Sequence, residues 1–90
     1  MTDSAVPEIE FPCDYTFKAF GPGNAGDAFR LAVKEAVNRS ANCPDDAIRV
    51  RLSSGGKYSC VSALTHLTSK EQLYTIYRNL KSIDGLVYLL

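Results

Sequence analysis

Hydrophobic positions recur along this chain first in alternation, then at helical spacing, then twice more in alternation, and again at helical spacing before a final apolar run. From Asp14 to Phe20, Tyr15, Phe17 and Ala19 fall on one side and Thr16, Lys18 and Phe20 on the other, which predicts a strand whose second side is not fully polar. Beyond the glycine-rich stretch Gly21 to Gly26, Phe29, Ala32, Val33, Ala36 and Val37 form an amphipathic stripe. Asn24 is placed to cap this helix, with Asp27 three residues on, and the helix should end near Ser40. Asn42, Pro44, Asp45 and Asp46 break the pattern, after which Ile48, Val50 and Leu52 alternate with Arg49 and Arg51. That second strand should have one core side and one cationic side.

Ser53-Ser54-Gly55-Gly56-Lys57 tolerates positive φ, so it predicts a tight connection and a third strand, Tyr58 to His66, antiparallel to the second. Val61, Ala63 and Thr65 compete with Cys60, Ser62 and Leu64 for its inward side, and the Val61 set is favoured. Thr68-Ser69-Lys70-Glu71 matches a capping box, followed by a helical stripe of Leu73, Ile76, Tyr77 and Leu80 that ends before Asp84-Gly85. Leu86 to Leu90 is apolar throughout, as expected of a short strand largely covered on both faces. Two strand-helix-strand units joined by a hairpin give an α+β, ferredoxin-like βαββαβ sandwich: a four-stranded antiparallel sheet with both helices on one face. The other sheet face is then left bare.

Ninety residues, 46% of them hydrophobic, suffice for one domain over residues 11–90 that buries a little over ~60% of its unfolded surface. Met1 to Glu10 mixes small, acidic and proline residues without period and reads as a flexible lead. Ten basic and ten acidic residues cancel, so the whole-molecule field will not gather a polyanion, and any basic surface must be local. The odd set Cys13, Cys43 and Cys60 fits reduced thiols and a cytoplasmic setting better than disulfides. With no signal-peptide pattern and no apolar run near ~20 residues, no membrane association is expected.

Several segments resemble a known family: Glu10-Phe11-Pro12, Tyr15-Thr16-Phe17-Lys18 before Gly21, Ser53-Ser54-Gly55-Gly56-Lys57-Tyr58 with Val61-Ser62, Glu71-Gln72 with Tyr77 and Leu80, and Ile83-Asp84. Taken together, in this order, they look like the YbeD-like family of small bacterial proteins. The resemblance spans nearly all of Glu10 to Leu90 and rests on turn and core positions rather than one signature. It implies a ferredoxin-like fold similar to ACT regulatory domains and an unassigned biochemical function. It carries no catalytic residue over to this chain.

Gly21-Pro22-Gly23-Asn24-Ala25-Gly26 is literally G-x-G-x-x-G between a strand and a helix. A ribose-binding acid should follow the second strand, whereas Asp45 and Asp46 precede it, and that strand enters a hairpin instead of a parallel sheet. A plain turn is the simpler reading. Amides at a helix N-terminus can hold a small carboxylate, and the ACT domains that the chain resembles bind amino acids at such a loop, which makes Gly21, Gly23 and Asn24 a candidate ligand site. Gly56-Lys57-Tyr58 and Val61 partly match the third strand of RNA-recognition motifs, but Cys60 and Ala63 stand where rings would stack.

Cys13, Cys43, Cys60 and the single His66 lack metal-ligand spacing, and no third group is evident to orient His66 toward Cys60 or Ser62 as nucleophile. No metal, cofactor or enzymatic activity is expected. The leading expectation is a regulatory or adaptor domain that binds a protein partner, or itself as a weak homodimer, through the open sheet face or an edge strand. Lys18, Phe20, Arg49, Arg51, Tyr58, Leu64 and His66 are the candidate surface. An amino-acid sensor using Gly21 to Asn24 is the alternative, and RNA binding on the sheet ranks below both.

Overall fold

The computed structural model describes residues 10–90. The expected flexible lead ending at Glu10 concerns residues 1–9, which lie outside the described residues; Glu10 itself is exposed. Alternation in the first apolar stretch becomes β1 (Cys13–Pro22), where Phe17 and Ala19 are fully buried and Lys18 between them is exposed. The helical stripe becomes α1 (Asp27–Asn38), which buries Phe29, Val33, Ala36 and Val37. Its start differs from expectation. Gly26, not Asn24, holds the N-cap position, at φ 66°, and no side chain caps the helix. That dihedral favours glycine, while Asn24 lies in a turn closed by Ala25 N–H donating to Pro22 O at 3.1 Å.

A single 3-10 turn, Asp45–Ala47, leads into β2 (Ile48–Leu52). Only Ile48 on its supposed core side is buried; Val50 and Leu52 are 48% and 57% exposed. The physical reason is position: β2 is a sheet edge with one neighbouring strand, and the apolar parity of its residues does not bring a helix over them. Gly55 and Gly56, at φ 82° and 72°, turn the chain into β3 (Tyr58–Leu67), with Ser53 N–H donating to Tyr58 O at 2.9 Å. Val61, Ala63 and Thr65 face inward as favoured, because the register sets Ala63 opposite Phe17 and Val61 opposite Ala19, and paired residues share a face.

Helix α2 (Lys70–Lys81) buries Leu73, Ile76 and Leu80. Its capping box is set one residue later than Thr68 and Glu71. Ser69 Oγ accepts from Gln72 N–H at 3.2 Å, and Gln72 Oε1 accepts from Thr68 N–H at 2.7 Å. Both registers satisfy the sequence pattern, but Gln72 also donates its side-chain amide to Ser40 O at 2.7 Å, a bond that a carboxylate could not make. This bond ties the start of α2 to the end of α1.

The final apolar run forms only a two-residue strand, β4 (Tyr88–Leu89), and the expectation that both its faces are largely covered is overturned. Leu86 and Leu89 pack against the core, while Val87, Tyr88 and Leu90 are 53%, 58% and 52% exposed, because β4 is the second sheet edge. Strand order is β2-β3-β1-β4 with every pairing antiparallel, and the helices pack on one face. This is the ferredoxin-like α+β sandwich. Under α2, Tyr15, Phe17 and Tyr77 meet edge to face, and the hydroxyls of Tyr15 and Tyr77 lie 2.6 Å apart. Burial first, and this hydrogen bond second, raise the Tyr77 hydroxyl well above its ordinary pKa.

Candidate functional site

The alternation that sends Phe17, Ala19, Val61 and Ala63 into the core sends their neighbours onto the uncovered face. The register arranges those neighbours in cross-strand rows. Arg49, Ser62 and Lys18 form one row, and Arg51, Cys60, Phe20 and Tyr88 form the next. Toward one end of the sheet, Tyr58 stands opposite Pro22; toward the other, Leu64 pairs with Thr16 and His66 with Asp14. All seven candidate surface residues therefore share this face, but they do not form one compact site. Tyr58 and His66 are eight positions apart on β3, roughly 26 Å at the usual strand rise.

The densest part lies at the Tyr58 end. A shallow depression of about 280 Å³ runs between Lys18, Phe20, Arg51, Tyr58, Cys60 and Leu90. A second, of about 370 Å³, adjoins it between Phe20, Tyr58, Val87 and Tyr88. The Phe20 and Tyr88 rings lie 5.9 Å apart, and Lys57 Nζ sits 5.4 Å from the Tyr58 ring. Backbone bonds from Lys18 N–H to Leu90 O at 3.2 Å and from Leu90 N–H to Lys18 O at 2.8 Å hold the chain end against β1. Tyr88 and Leu90 were not among the candidates. In an all-apolar run the parity of side chains cannot be read, and only pairing with Phe20 and Lys18 reveals which residues face outward.

Charge divides the two layers. Beside the helices, Asp27 bonds Arg30 at 2.8 Å, and Asp45 bonds both Lys34 at 2.7 Å and Arg30 at 3.3 Å. These hydrogen bonds, from Arg30 to Asp27 and first from Lys34 to Asp45, hold both carboxyls below their usual range. On the open face, Lys18, Arg49 and Arg51, with Lys57 at the hairpin, enter no ion pair among the described residues. Among the described residues, the one carboxylate paired on that face is Asp14, with His66 Nδ1 at 3.0 Å, at the far end. A chain of zero net charge thus presents a local cationic surface.

The Gly21, Gly23 and Asn24 loop has structural work that its motif did not suggest. A Cβ on Gly23 would lie 1.8 Å from Gly56 O, and Gly23 N–H donates to Lys57 O at 2.9 Å, so this glycine lets the loop dock on the β2–β3 hairpin. A Cβ on Gly21 would meet the Phe29 ring at 2.8 Å. Two amides of the loop, Gly23 and Ala25, already have backbone acceptors. Burial raises the Cys43 thiol pKa, while Cys13 and Cys60 are partly exposed. Among the described residues no three of His, Cys, Asp and Glu gather as a metal site would need, and no helix is long and apolar enough to cross a membrane.

The solution structure of protein HP0495 from H. pylori superposes with a TM-score of 0.67, covering 98% of this chain and 91% of that one at 13% identity, which speaks for the fold alone. A UPF0250 protein from Azotobacter vinelandii is 37% identical over 83 residues, 90% of this chain and 88% of that protein. Another, from Pseudomonas syringae pv. tomato, is 37% identical over 92 residues, 99% of this chain and 98% of the relative. The family described as "Protein of unknown function (DUF493)" matches residues 6–90. With the shared fold, the turn and core positions quoted above and these matches in agreement, the chain belongs to this YbeD-like family of unknown function.

Proposed function

We propose that this protein is a non-enzymatic regulatory or adaptor domain that binds a protein partner through its uncovered sheet face. The observation that carries this reading is the apolar and aromatic surface left outside the core around Phe20: Tyr58 at 36% exposure, Tyr88 at 58% and Leu90 at 52%, bordered by Arg51 and by the Arg49-Ser62-Lys18 row, with Leu64, at 50%, beyond that row. Nothing within the described residues covers these groups. Contiguous apolar surface with a polar rim is the usual character of a protein contact. The partner surface complementary to it is apolar at its centre and acidic at its margin. The protein acts in the cytoplasm, in keeping with three free thiols.

The amino-acid sensor reading has less support, since Gly23 and Ala25 amides are committed to the loop's own bonds. RNA binding would use the rings of Phe20, Tyr58 and Tyr88. One experiment separates the three. Mass is measured by light scattering, and amide shifts are recorded on adding amino acids and then short RNA. A monomer unmoved by either leaves the protein-partner reading standing. Shifts confined to Gly21–Asp27 would replace it with a sensor, and RNA-induced shifts at Phe20, Tyr58 and Tyr88 would replace it with RNA binding.

A further inference from the structure

The edge of β2 has two properties that the open-face reading does not use. The first is the phase of its backbone. The bond from Ser53 N–H to Tyr58 O, with Arg51 opposite Cys60 and Arg49 opposite Ser62, makes Ser53, Arg51 and Arg49 the positions whose backbone groups bond β3. The N–H and C=O groups of Val50 and Leu52 therefore point out along the free edge. Ile48 confirms the phase, because its N–H turns away from β3 to Asp45 O.

The second property is the sorting of side chains on that edge. Val50 and Leu52, about half exposed, lie on the helix side, and Arg49 and Arg51 lie on the open side without an acidic partner among the described residues. Charges on an edge strand normally discourage pairing with another strand. Here they discourage it selectively. Antiparallel pairing of β2 with a second copy about Val50, helix layers on the same side, sets Arg49 of each copy opposite Arg51 of the other, and like charges directly opposed are unfavourable. A strand with carboxylates at those positions and apolar residues between them would complement both sides at once.

We propose that the β2 edge accepts, by strand addition, an extended segment of a partner protein in which Asp or Glu alternates with apolar residues. Its backbone continues the ladder from Val50 and Leu52, its carboxylates pair across the strand with Arg49 and Arg51, and its apolar side chains cover Val50 and Leu52. This inference rests on the partner-binding reading above and adds the edge and the chemistry of the segment.

The test uses the full chain, isotope-labelled, with a seven-residue peptide alternating glutamate and valine and a second in which lysine replaces glutamate. The glutamate peptide should shift the Val50 and Leu52 amides and slow their hydrogen exchange, and the lysine peptide should not. The R49E/R51E double variant, with its melting temperature unchanged, should bind the glutamate peptide about tenfold more weakly, equivalent to ~1.4 kcal/mol, and should gain binding of the lysine peptide. A folding defect would not produce that exchange of preference. Val50→Pro, which removes an edge N–H but no bond to β3, should weaken binding without unfolding the chain. Equal response to both peptides, or none at about 2 mM peptide, overturns the inference. Shifts confined to Lys18, Phe20 and Tyr88 overturn the edge assignment while leaving the open-face reading intact, and loss of both would appear as silence at the edge together with RNA or amino-acid shifts in the preceding experiment.

Discussion

The two faces of one sheet are built from adjacent residues of the same strands, yet internal packing accounts for only one of them. Phe17, Ala19, Val61 and Ala63 are fully buried beneath two helices. One residue along, Lys18, Phe20, Cys60, Ser62 and Leu64 face the uncovered side. On the helix side, size and shape of these buried side chains are dictated by their neighbours. On the open side, a ring pair, two exposed leucines and three cations have no partner in the helix layer or ion pair among the described residues. That surplus of exposed apolar groups is what the partner proposal rests on.

That contrast can be broken by substitution. Phe17→Ala should cost about 3–5 kcal/mol in urea unfolding, since a fully buried ring leaves a cavity. A cost under 1 kcal/mol would mean that the helix layer is not packed as described. Gly23→Ala should cost about 2–3 kcal/mol, because its Cβ would collide with Gly56 O and lift the loop from the hairpin. If the variant were as stable as the parent, the loop would be free for a ligand after all.

Tyr77→Phe removes the bond to Tyr15 and should cost about 1 kcal/mol. It should also change alkaline sensitivity. Because the folded-state pKa of Tyr77 is raised, the stability linked to it is complete below the ordinary tyrosine value of 10.0 and falls as pH rises beyond it, when the unfolded chain ionises first. Urea midpoints at pH values on either side of that point should therefore diverge more for the parent than for Tyr77→Phe. The smallest stability effect belongs to the open face: Leu64→Ser with Tyr88→Ser should change stability by no more than ~0.5 kcal/mol per site while abolishing partner binding.

Alternation made most of the architecture legible. Phe17 and Lys18 differ so sharply in character that β1 could be oriented at once, and the hairpin at Gly55-Gly56 then fixed β3 relative to β2. Coverage was harder to read, because parity names a side of a strand without saying what lies over it. Val50 and Leu52 have core-like parity and Leu86 to Leu90 has core-like composition, yet both segments sit at sheet edges where one neighbour is absent. The seven candidate surface residues reached the open face through the same parity rule, and Tyr88 escaped it for want of any polar neighbour to set the phase. The glycine motif was legible as a plain turn but not in its purpose: glycine permits close approach of any group, and at Gly23 that group is the hairpin backbone.

The claim that the uncovered face meets a protein is tested most directly by photo-crosslinking in living cells from four exposed positions, Leu64 and Tyr88 on that face and Leu31 and Tyr74 on the helix layer. A discrete adduct with one protein from Leu64 and Tyr88, absent from Leu31 and Tyr74 and lost in the Lys18→Glu background, is the expected result. Equal adducts from all four positions, or none from Leu64 and Tyr88, would contradict a partner surface on the open sheet.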